Sequence, residues 1–134
     1  MKKVLVAFDG SAPARRALQT AAALAKQDGA SVTIISVVPE SMGLPVLVDP
    51  FDDAAVHAKQ LADAVALFEK QGIKAETLQP TGDPGRAIER AARKGGYDTI
   101  ILGSRGRGTV SRLLLGSVSS HVASHVKGTV IIVH

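Results

Sequence analysis

The stretch Asp98-Thr99-Ile100-Ile101-Leu102-Gly103-Ser104-Arg105-Gly106 sets a short apolar run directly before a glycine-rich loop that continues to Gly116-Ser117-Val118-Ser119. The run suits a buried strand, so the loop leaves a sheet at a strand's carboxyl end, where open parallel sheets bind ligands. The glycines, the neighbouring arginines and a Gly-Ser pair opening an apolar-periodic segment can bring many backbone N–H groups near one anion. That points to phosphate chemistry.

Upstream, the same alternation repeats. Lys3 to Phe8 reads as a buried strand ending at Asp9-Gly10, and Ser11 can cap a helix with Pro13 in its first turn. Ala14, Ala17, Leu18, Ala21 and Leu24 recur on one face of that helix, which Gly29 ends. Ser31 to Val38 is the second strand, and Pro39 to Pro50 an irregular connection broken by Pro and Gly, read as lid, partner-binding loop or slack. Asp49-Pro50 looks like a cap and first-turn proline before a helix with Ala54, Ala58, Leu61, Val65 and Phe68 on its apolar face, stopped by Gly72. Lys74 to Gln79 alternates polar and apolar residues, as an edge strand does. Asp83-Pro84 repeats the cap, Ala87, Ile88, Ala91 and Ala92 face inward, and Gly95-Gly96 ends the third helix. Beyond the glycine loop, Val118, Val122 and Val126 mark a fourth helix, and Thr129 to His134 a final strand.

Strand and helix alternate throughout, which predicts an α/β three-layer sandwich with a largely parallel five-stranded sheet and four helices. Right-handed crossovers with both faces covered favour the order 3-2-1-4-5. The switch point then falls between strands 1 and 4, where Asp9 and Gly103 face each other. The 134 residues fit one domain spanning 1–134.

Composition narrows the function classes. Hydrophobic residues make up 46% and charged residues 21%, which sets wholesale disorder aside. Aromatics are only 3%, with no Trp, so base-stacking platforms are poorly supplied. The net charge of +4 comes from basic residues interleaved with twelve acids, which disfavours nucleic acid as a partner. The absence of Cys excludes disulfides and thiolate metal sites and agrees with a cytoplasmic protein. No run approaches the roughly 20 apolar residues of a membrane span, and the run after Lys2-Lys3 is too short for a signal peptide.

Glycine at 103 and 106 lets a ligand approach the backbone and allows φ > 0, while Gly116-Ser117 places free amides and a hydroxyl at a helix start, with Ser119 also within reach. The plainer alternative is a surface loop with an ordinary helix cap, and spacing alone leaves both open. His121 and His125 are four apart on one helix face, but no third ligand is visible, so they are read as surface or interface side chains and no metal ligand set is assigned. His57 and His134 are given equally plain roles.

Gly103, two residues, Gly106, nine residues, then Gly116-Ser117 resembles the signature of the ATP-binding subgroup of the universal stress proteins. The opening Val4-Leu5-Val6-Ala7-Phe8-Asp9-Gly10-Ser11, the Gly82-Asp83-Pro84 turn, the run Tyr97 to Gly103 and the closing Val130-Ile131-Ile132-Val133 are similar to that family too, so the resemblance covers essentially the whole chain. It implies an adenine nucleotide alpha hydrolase-like, Rossmann-like fold and an ATP site. On that reading Asp9 lies beside the adenosine, Val37 offers backbone to the adenine edge, and Gly103 and Gly106 line ribose and phosphates. Gly116, Ser117, Val118 and Ser119 would hold the phosphate chain, with Mg²⁺ or Mn²⁺ held mostly by phosphate oxygens and water. Arg105, Arg107 and Arg112 exceed what the signature requires, and Arg107 is the one assigned to phosphate.

No G-x-x-x-x-G-K-[ST] motif is present, so weak hydrolysis at most is expected, no catalytic residue is assigned, and a nucleotide-dependent stress-response or signalling module fits better than an enzyme. The alternatives are a dimeric interaction scaffold without nucleotide, and a slow ATPase. Gln79-Pro80 after strand 3 argues against a phosphoacceptor receiver domain, and Asp9-Gly10-Ser11-Ala12-Pro13 against a pyrophosphate-loop hydrolase. Thr129 to His134 is an apolar edge that a second copy could cover, so a homodimer through that strand is expected, as the resemblance also implies.

Overall fold

The computed structural model describes residues 1–40, 54–105 and 115–134. The expectations for Gly106, Arg107, Arg112, the Asp49-Pro50 cap and most of the Pro39 to Pro50 connection lie outside them.

The described elements run β1 (Lys3–Ala7), α1 (Ala12–Asp28), β2 (Ser31–Ile35), α2 (Ala54–Lys70), β3 (Ala75–Leu78), α3 (Pro84–Gly95), β4 (Thr99–Gly103), α4 (Ser117–His125) and β5 (Thr129–Val133). The sheet order is β3-β2-β1-β4-β5 with every pair parallel, as the alternation predicts. Because successive strand residues face opposite ways, each near-continuous apolar run feeds two cores. Val4, Val6, Val32, Ile34 and Ile101 meet α1 and α2 on one face, while Leu5, Ile35, Ile100 and Leu102 meet α3 and α4 on the other.

Helix ends follow the sequence signals. The Ser11 hydroxyl accepts the Ala14 N–H at 3.2 Å and the Asp83 carboxylate accepts the Arg86 N–H at 3.0 Å, each beside a first-turn proline. Gly29 and Gly96 close α1 and α3 in the left-handed conformation, both at φ 66°.

Three expectations are corrected. β2 stops at Ile35 rather than Val38, because Val38 leaves the ladder to form an isolated bridge with Thr81. On α2 the buried stripe is His57, Leu61, Ala64 and Phe68; Leu61 and Phe68 are as expected and Val65 is half-buried against the same core, whereas Ala54 and Ala58 are exposed. His57 is therefore a core residue rather than a plain surface one, accommodated by the buried Ser36 hydroxyl 2.5 Å from its Nδ1. Val126 is the C-cap of α4 rather than part of the helix, though it packs against the same core as Val122.

Both edges of the sheet are as expected in position but differ in chemistry. Along β3 only Ala75 is half-buried and the rest is exposed, whereas Val130 to Val133 of β5 are all half-buried apolar residues.

Candidate functional site at the carboxyl ends of β1 and β4

The crevice begins where the central strands part. β1 and β4 stay in register only from Val4–Thr99 to Val6–Ile101, after which β4 follows β5 as far as Gly103–Val133. On the other side, the β1–β2 contact ends with the Phe8 N–H donating to the Ile35 carbonyl at 2.9 Å. Asp9-Gly10, Val37 and Gly103-Ser104 therefore lie at or just past the carboxyl ends of three adjacent strands, β1, β2 and β4.

Asp9 is half-buried and accepts the Ser11 N–H through Oδ1 at 2.9 Å, which leaves Oδ2 without a donor among the described residues. The Val37 side chain is buried in the lower core. Its own N–H and carbonyl have no partner among the described residues, while Ser36 and Val38 bond Leu78 and Pro80. That is the geometry a backbone donor and acceptor for a flat polar ring would need.

Gly103 corrects its expected reason. It does not use a positive φ. A Cβ there would lie 2.8 Å from both the carbonyl carbon and Cβ of Pro13, and 2.9 Å from Ala14 N. The glycine is thus required by the first turn of α1 pressing on the end of β4, and it shapes the crevice from below.

The N-terminus of α4 stands apart from those of α1 and α3. Gly116 is its N-cap and makes no side-chain cap hydrogen bond. The Gly116 N–H donates to the Ser104 carbonyl at 2.7 Å, and Ser104 N–H donates to Val133 at 2.7 Å, so the helix start is pinned to the end of β4. The N–H groups of Ser117, Val118 and Ser119 find no acceptor among the described residues. Three convergent donors and the positive end of a helix dipole suit an anion.

Ser119 serves this end differently from the expectation. Its hydroxyl is 1% exposed and donates inward to the Ser104 and Gly116 carbonyls at 2.8 and 3.1 Å. Only its N–H faces the site, whereas the Ser117 side chain is exposed and free to reach a ligand.

Sequence reasoning missed two residues here. Ser104 is 1% exposed and its hydroxyl has no partner among the described residues; Gln60 of α2 keeps a buried Oε1 likewise without one there, and its Nε2 lies 2.6 Å from where a Cβ on Gly10 would sit. Ser104 could have been found from its place directly after Gly103. Gln60 carries no such signal, because nothing local tells which turn of α2 reaches the crevice. Arg105 is half-buried and makes no ion pair among the described residues.

A third ligand-capable residue also stands beside the two histidines of α4, against the expectation that none was available: Glu89 of α3.

The profile of the universal stress protein family matches residues 1–134, the whole chain. The chain belongs to the universal stress protein family. A relative from Thermus aquaticus, a universal stress protein, is 35% identical over 136 residues, covering 98% of each chain. The solved structure of the universal stress protein UspA from Lactobacillus plantarum superposes with a TM-score of 0.86 at 28% identity, covering 99% of this chain and 97% of that one. A universal stress protein from Archaeoglobus fulgidus, solved in complex with dAMP, shares the fold with a TM-score of 0.75 at 24% identity, covering 100% of this chain and 98% of that one. No helix among the described residues is long and apolar enough to cross a membrane.

Proposed function

We propose that this universal stress protein binds an adenine nucleotide, ATP, in the crevice between β1 and β4 and acts as a nucleotide-dependent stress-response module. The observation that carries the reading is the start of α4: the N–H groups of Ser117, Val118 and Ser119 find no acceptor among the described residues, and Gly116 is anchored to Ser104. A phosphate there gains about 0.3–1 kcal/mol from the helix dipole, up to about 2 when partly buried, beside its hydrogen bonds. The adenosine lies toward Asp9 and the open backbone of Val37, and Gly106 and Arg107 of the glycine loop complete the phosphate contacts. The hydroxyl of Ser104 and the amide oxygen of Gln60, both without a partner among the described residues, fit a site that holds a polar ligand or its water. A Mg²⁺ or Mn²⁺ ion accompanies the phosphates, held mainly by their oxygens and by water. The sequence carries no G-x-x-x-x-G-K-[ST] lysine for the γ-phosphate, which favours a switch over rapid turnover. The protein acts in the cytoplasm as a homodimer, pairing through the half-buried apolar edge of β5.

Calorimetric titration of ATP with Mg²⁺ into nucleotide-stripped protein tests this. Saturable binding with Kd at or below about 1 mM, lost in Gly116→Arg with the fold intact, supports the site. No saturable heat, or equal binding by that variant, overturns it.

A further inference from the structure

We propose that Glu89, His121 and His125 form a binding site for a Zn²⁺-class divalent transition-metal ion on the outer face of α3 and α4. The proposal does not rest on the nucleotide reading.

The three side chains come from two packed helices. Their ligand atoms, one from each residue, all lie within 4.8 Å of one another. His121 Nε2 is 3.3 Å from Glu89 Oε1. The two imidazoles stack with ring centroids 4.0 Å apart and 12° between their planes, so both rings present their edges side by side.

The tautomer of His125 is set by its surroundings. Its Nδ1 lies 2.8 Å from the His121 carbonyl oxygen, which can only accept, so Nδ1 carries the proton. In the neutral ring the lone pair is then on Nε2, free for a metal. A backbone carbonyl orienting the non-ligating nitrogen is the usual outer support of a ligating histidine.

His121 is held by its neighbour on α3. A Cβ on Gly85 would lie 3.0 Å from His121 Cβ and Cγ, so glycine lets α3 come against this side chain and keeps the ring at Glu89. The site is open to solvent: His121 and Glu89 are 26% and 23% exposed, and His125 is exposed. It also lies in the last turn of α4, where the negative end of the helix dipole favours a cation.

An ion pair joins Glu89 to His121 and the His121 carbonyl orients the His125 ring, and together these contacts set three donor side chains beside one another. Two imidazole nitrogens and a carboxylate match the donor preference of Zn²⁺, which takes nitrogen at about 2.0–2.1 Å in tetrahedral geometry, with the fourth position left for water. At 1.5 Å per residue, His121 and His125 lie about 6 and 12 Å along the helix axis beyond Ser117, so this ion is not the companion of a nucleotide phosphate.

The test titrates chelator-stripped full-length protein with Zn²⁺ alone, in competition with a chromophoric chelator, and with Co²⁺ alone read by visible absorption. One equivalent of Zn²⁺ and a Co²⁺ spectrum of tetrahedral type are expected. His125→Ala, at an exposed position, and Glu89→Gln should each weaken binding about tenfold or more, while His134→Ala should not. In the unaltered protein, the ring resonances of His121 and His125 should shift on adding Zn²⁺, and those of His57 and His134 should stay. Unchanged affinity in His125→Ala, loss of binding in His134→Ala, ring shifts confined to other histidines, or no binding at all would overturn the proposal.

Discussion

Replacing Gly103 by Ala separates two roles that a glycine at the mouth of a ligand site can have. A Cβ on Gly103 falls 2.8 Å from two atoms of Pro13 and 2.9 Å from Ala14 N, well short of the 3.4 Å at which ordinary contact begins. Two of these atoms are backbone, and Pro13 sits in a turn fixed by the Ser11 cap, so neither side can yield by a rotamer change. The first turn of α1 must lift from β4. Overpacking of this kind costs about 1–3 kcal/mol, which lowers the melting temperature by roughly 4–12 °C in a domain of this size. Thermal unfolding followed by circular dichroism gives the number, and amide exchange of Ala14 and Arg15 reports whether α1 is the part that loosens. If Gly103 served only ligand approach, the variant would melt like the parent and lose nucleotide alone. A change under about 0.5 kcal/mol, within the range of inert surface substitutions, would refute the packing argument.

Other expectations follow from the same contacts. The Asp98 carboxylate accepts hydrogen bonds from the Thr99 hydroxyl at 2.7 Å and from the Lys3 and Lys2 N–H groups at 2.8 Å, which hold its pKa below the ordinary 3.8. Its contribution is therefore complete above that ordinary value and fades as pH falls through the lower folded-state value. Asp98→Asn should thus melt below the parent at neutral pH, with the difference vanishing under acid; a gap independent of pH would contradict this. Sedimentation at about 10 µM should give twice the 13.9 kDa chain mass if β5 pairs across a two-fold axis, and a persistent monomer would count against that.

Much of this architecture was legible because its signals are local. Apolar runs, Ser11 and Asp83 as caps, and the glycines that end α1 and α3 each act within a few residues, and the strand order follows from alternation plus handedness. Gly103 and Gly116 of the glycine signature fall at the end of β4 and the start of α4, as the strand and helix signals around them lead one to expect. What stayed hidden depends on contacts far apart in sequence. His57 of α2 is buried because Ser36, just past the end of β2, supplies a partner, and Gly103 is small because of Pro13 rather than its own loop. Ser119 turns inward since the Ser104 carbonyl waits beneath it. Glu89 joins His121 and His125 only once α3 and α4 pack, a relation that no spacing within one helix encodes.

The central claim is that α4 opens onto an adenine-nucleotide site, and an amide-resolved NMR titration with ATP and Mg²⁺ tests it most directly. The account predicts saturable shifts at Ser117, Val118 and Ser119, with Gly10 and Val37 following at the same midpoint, at or below about 1 mM. Shifts that fail to saturate, or that fall elsewhere while these amides stay still, would contradict it.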